Sequence, residues 1–214
     1  MPIPISSRTY LSNEAALMSL TLFLSMAAFA LAASISPGPV NLVALSSGVQ
    51  HGFRASMRHV TGATLGFVLL LLLVGLGLHA ALKDWPALIV AIRWAGVAFL
   101  LFMAYRLAVD DGQLSSPEHH TAPSVTYGAL MQWLNPKAWL AAVAGVGAYA
   151  SGGEARLVWQ FAFIYFVICY ASIGCWAYAG AFLRRFLGEP RRVRWLNRVM
   201  AAALVASALY LMWE

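Results

Sequence analysis

Between Thr61 and Leu82 the chain runs for 22 residues without an Asp, Glu, Lys or Arg. No other feature narrows the fold as much. A helix that crosses a bilayer needs about 20 mostly apolar residues, because the hydrocarbon core is about 30 Å thick. Backbone polar groups at that depth must be satisfied within the protein, so helices and closed barrels are the structures that cross. Five further runs have the same character. They are Leu17–Ile35, which resumes past a break to about Val49, then Ala87–Leu107, Val125–Tyr149, Val158–Leu183 and Trp195–Trp213. Only 10% of the residues are charged, against about a quarter in soluble domains, and the mean hydropathy is +0.73. The expected fold is all-α: one polytopic domain over residues 1–214 with six transmembrane helices.

The net charge of +6 does not point to nucleic acid, because the basic residues gather at the ends of apolar runs. There they set orientation, since loops rich in Lys and Arg stay cytoplasmic. Arg54 and Arg58 follow the first run, and Arg184, Arg185, Arg191, Arg192, Arg194 and Arg198 follow the fifth. Both loops are expected inside, which places both termini outside and the loop 108–124 inside. The stretch "FLSMAAFALAAS" resembles a secretory signal, but only Arg8 precedes it as a basic residue. A retained helix is the preferred reading.

The first run breaks at "SISPGPVNL", on Pro37, Gly38 and Pro39. Met18–Val49 is 32 residues, about 48 Å as one straight helix and too long for the hydrocarbon core. Each proline lacks an N–H donor and clashes with the preceding turn. The fourth run has a comparable break at Asn135–Pro136, which lies 99 positions after Pro37. With three runs on each side of the loop 108–124, the halves 17–107 and 125–213 have the layout of inverted repeats, each with its first helix broken. Matched discontinuous helices mark a substrate site in transporters. Free N–H groups at a restarted helix suit a carboxylate, and free carbonyls suit an amine, so an amino acid fits both. An ordinary proline kink is the alternative, chiefly at Pro136.

The candidate substrate-binding residues are Pro37, Gly38, Pro39, Asn41, Asn135, Pro136 and Lys137. Asn41 donates and accepts hydrogen bonds; an interhelical structural role is the rival. Lys137 lies about a dozen residues into an apolar run, where charge is costly and functional by default. It is open to three readings: an anchor for a substrate carboxylate, a proton carrier that couples transport to a gradient, or a side chain that snorkels to the interface. Gly62 and Gly66 form G-x-x-x-G and read as helix packing, as do Ser46 and Ser47. His51, Arg54, Arg58 and His59 are assigned to a cytoplasmic loop or its edge. Cys169 and Cys175 read as small buried hydrophobes. No Asp or Glu lies deep in a run, which leaves no carboxylate relay and no hard-cation site. His119 and His120 with Asp110 and Asp111 lack a metal-ligand spacing. No cofactor, catalytic set or nucleotide motif is expected.

"SPGPVNLVALSSGVQHGFRASMRHVTGATLGF" (Ser36–Phe67) and "LNPKAWL" (Leu134–Leu140) resemble the LysE/RhtB amino-acid exporters. The detail "ALSSGVQHGFRASMR" looks most like the cysteine and O-acetylserine branch. The resemblance implies an exporter of amino acids or their derivatives in the bacterial inner membrane, and not an enzyme. Proton coupling and a homo-oligomer stay open. A redox or metal carrier of similar plan, which would need C-x-x-C or a His/acid cluster in the runs, is the alternative, as is a non-transporting membrane subunit.

Overall fold

The computed structural model describes residues 5–78, 86–111, 123–151, 154–187 and 189–213. Among these the chain is helical throughout, with short connections. The helices are α1 (Ile5–Ile35), α2 (Pro39–His51), α3 (Phe53–Leu73, ending in a π turn at Val74–Leu78), α4 (Pro86–Ala108), α5 (Val125–Trp133), α6 (Pro136–Tyr149), α7 (Ala155–Leu183) and α8 (Pro190–Trp213). His119 and His120 lie outside the described residues.

Proline chemistry sets both breaks. α1 stops at Ile35, and α2 restarts with Pro39 in its first turn, where a missing N–H costs nothing and φ is already helical. The two pieces bend by 61°. α6 likewise restarts on Pro136, after Asn135, whose side chain accepts from the Lys137 N–H at 3.2 Å. α5 begins behind Ser124, whose hydroxyl accepts from the Tyr127 N–H at 3.1 Å.

The starts of α1 and α3 differ most from the sequence expectation, and α1 begins at Ile5, twelve residues before Leu17. α3 starts at Phe53, eight residues before Thr61, because α2 turns into it through a single glycine. Gly52 has φ +82°, a left-handed conformation that other residues adopt only with strain. His59 therefore sits inside a buried helix and not at a loop edge.

α3 is central and packs against α2, α5, α6 and α7, while α2 also lies along α7 and α4 pairs with α8. Small residues bring backbones together at two crossings. A side chain on Gly62 or Gly66 would run into the α5 backbone at Val125 or Ala129, and one on Gly180 into the α2 backbone at Leu45. The G-x-x-x-G pattern is thus a packing device. The core holds Met26, Leu70, Leu71, Leu100, Phe161 and Leu204. Large apolar side chains also face outward, among them Phe163 at 70% and Trp195 at 68% exposure.

Two helical stretches, Phe53–Gly77 and Ala155–Leu183, reach the length and apolarity of a full membrane crossing, and the bent pair Ser19–Ile35 with Pro39–His51 makes a third. The protein is therefore an all-helical membrane protein. Trp94–Ala108 of α4 is a shorter apolar stretch among the described residues, and α5 and α6 are each half-length.

Candidate functional site

The last carbonyls of α1 have no partners within the helix, and side chains from elsewhere in the chain satisfy them. Asn41, in the first turn of α2, folds back so that its Nδ2 donates to Ser34 O at 2.8 Å and Ser36 O at 2.9 Å. Trp176 on α7 donates to Ile35 O at 2.9 Å. Lys137, from the second break, reaches the first. Its Nζ lies 2.8 Å from Ser36 O, 2.8 Å from Ser36 Oγ and 3.3 Å from Pro37 O. Those three acceptors match the three donors of an ammonium, at the helix end where a cation is favoured.

The lysine stem runs past Gly38, where a Cβ would stand 3.2 Å from Nζ and 3.3 Å from Cδ. Glycine leaves room for that approach. It also holds extended backbone at the start of α2 with no side-chain cap on the helix. The positive end of α2 and the Lys137 ammonium therefore stand side by side.

A cavity of about 40 Å³ opens between these groups, room for a water or a few. Gly38, Asn41, Asn135 and Lys137 line it. The three prolines of the candidate set do not; they act through the backbone, and Pro37 offers its carbonyl to Lys137. Ser34, Gln132 and Tyr165, not singled out in the sequence, also line the cavity, as does Cys169. Gln132 Oε1 accepts from Asn135 Nδ2 at 3.4 Å. The Ser34 hydroxyl is buried at the cavity beside Tyr165 and Cys169. Cys169 is buried in the apolar core, as expected, and lines the cavity, whereas Cys175 is exposed and not buried as expected. Tyr165 and Cys169 lie four apart on α7, which puts them on one face. Lys137 is the one charged residue in the lining.

A second, larger space of about 690 Å³ lies where α2 and α4 end and α5 begins. Arg58, Arg106, Asp110 and Tyr127 are among the residues that line it. At its rim Asp110 accepts from Gln50 of α2 at 3.3 Å and from Asn197 of α8 at 2.9 Å, so one carboxylate joins three elements.

Broken helices that meet at a buried polar cavity define a membrane transport protein. The LysE type translocator family matches residues 31–214, and this chain belongs to that family. Cysteine/O-acetylserine efflux proteins from Escherichia coli and Shigella sonnei are each 31% identical to it over 199 residues, covering 90% of this chain and 98% of theirs. No solved structure matches it.

Proposed function

We propose that this protein exports amino acids or small amino-acid derivatives across the bacterial inner membrane, binding them at the meeting point of its two broken helices. The observation that carries the reading is Lys137, which crosses from the second break to the first and ends beside the uncapped start of α2. A substrate carboxylate binds there, between the ammonium and the free N–H groups. The Lys137 ammonium occupies the carbonyl end of α1. A zwitterion brings its own ammonium to those carbonyls and gives Lys137 its carboxylate. The lysine is thus displaced without any charge losing its partner.

The cavity is too small for an amino acid, so this state is the closed one and the site widens on binding. The larger space is the route in from the cytoplasm. The six sequence runs are six spans in two inverted repeats, 17–107 and 125–213, joined by a cytoplasmic loop. Both termini face outward, and the exposed apolar side chains face lipid. The relatives' names make cysteine and O-acetylserine the first substrates to test.

Purified protein in vesicles loaded with unlabelled cysteine should take up labelled cysteine by exchange, well above protein-free vesicles. Uptake no faster than that background, for both substrates and a panel of other amino acids, defeats the reading in favour of a non-transporting subunit.

A further inference from the structure

His59 is fully buried in α3 and has no part in the binding site. Its Nε2 lies 3.2 Å from the carbonyl of Val40, in the first turn of α2. A carbonyl only accepts, so Nε2 carries the hydrogen and Nδ1 holds a lone pair. That Nδ1 is buried with no partner among the described residues.

The ring's surroundings give this arrangement meaning. Val40 lines the small cavity. On the other side, Tyr127 of α5 lines the larger space, and its ring centroid is 6.3 Å from that of His59. The imidazole therefore lies between a residue of the small cavity and a residue of the larger space. α2 presents a backbone carbonyl to it. α5 presents Tyr127, whose hydroxyl is bonded to Met103. Arg106 of α4 lines the larger space with Tyr127. On α7, Tyr170 is 3.4 Å from Thr61, two residues along α3. Arg58 adjoins His59 on α3 itself.

We infer that His59 is the proton carrier that couples transport to a proton gradient, and that Lys137 is not. The inference rests on the exporter reading above. All three donors of the Lys137 ammonium are already committed to the break. His59 has an open lone pair in the wall that must part for substrate to pass. The step is a simple protonation: a proton adds to the Nδ1 lone pair when the site faces outward, and leaves into the larger space when the site faces inward. A protonated Nδ1 needs an acceptor, which the closed wall does not provide. The charged ring therefore destabilises the closed wall and drives it to part toward the larger space, and proton and conformation are linked. The closed structure is the state after proton release.

The test uses protein in phosphatidylethanolamine–phosphatidylglycerol vesicles and labelled cysteine kept reduced. Exchange at equal pH reports substrate passage, and accumulation under an imposed pH gradient reports coupling. In His59→Gln, whose amide can still donate to Val40, exchange should persist while gradient-driven accumulation falls about tenfold or more. A second protein keeps His59 and replaces His51, His79, His119 and His120 with Gln; it should retain the gradient response. Gradient-driven accumulation by His59→Gln equal to wild type overturns the inference. So does its loss in the protein whose sole histidine is His59, which decides the matter if His59→Gln fails to insert. A wild type that exchanges substrate but ignores the gradient also overturns it, and leaves the exporter reading standing. A wild type without exchange removes both.

Discussion

Lys137 has two tasks that a single substitution can separate. It supplies donors to Ser36 and Pro37, and it supplies charge beside Gly38. Lys137→Met removes both. Hydrogen bonds to charged groups contribute about 1.5–3 kcal/mol each, so cysteine exchange should fall about 10–100-fold. Lys137→Arg keeps the charge and the donors, but its wider head must pass Gly38, and partial exchange should survive. Initial exchange rates, normalised to protein recovered in the vesicles, provide the measurement. Wild-type rates from Lys137→Met would take the residue out of the mechanism and return it to a snorkelling role. Asn41 shows why the neighbourhood is sensitive. One side-chain amide holds the Ser34 carbonyl of α1 and the Ser36 carbonyl of the break, so the bend at the break is fixed by side chains and not left to the prolines alone.

Between α1 and α2 the break is an element in its own right. Replacing Pro37, Gly38 and Pro39 together with alanine should let the helix run through, since alanine is the best helix former. The protein should still insert, and exchange should vanish as the 61° bend straightens. Normal exchange from a well-inserted triple variant would show the break to be a mere kink. Both breaks were legible in the sequence because a missing N–H is a local fact, independent of packing. Most helix ends were legible too, but not the starts of α1 and α3, which lie twelve and eight residues earlier than expected. Ser34, Tyr165 and Cys169 were not legible as cavity residues. They sit in runs that are apolar all round, where periodicity gives no sign of which face turns inward. His59 was misplaced for a different reason. Its place among the basic residues Arg54 and Arg58 suggested a loop or its edge, but Gly52 turns the chain so sharply that α3 begins at once. The pairing of Lys137 with Ser36 was also invisible, because no local rule relates residues 101 apart.

At the scale of the whole molecule, orientation is the open proposal. In a background with Cys169 and Cys175 replaced by alanine, Ser12→Cys and Glu214→Cys should react with an impermeant thiol reagent added to intact cells. Glu189→Cys should react only after the membrane is breached. Reaction at Glu189→Cys alone of the three in intact cells would reverse the assignment and with it the direction of the larger space. Asp110, tied to α2 and α8, makes that same end of the molecule a junction of both halves. The first break depends on the second half in another sense, that of time. A ribosome adds about 5–20 residues per second. Lys137 lies 101 residues beyond Ser36, and Trp176 lies 141 beyond Ile35. Asn41 serves Ser34 and Ser36 at once, but for about 5–20 s after the first break is synthesised the Ile35 and Pro37 carbonyls wait for partners that have not yet been made. Nascent α1 and α2 must spend that interval in the insertion machinery or beside water, and release to lipid has to follow the arrival of α6.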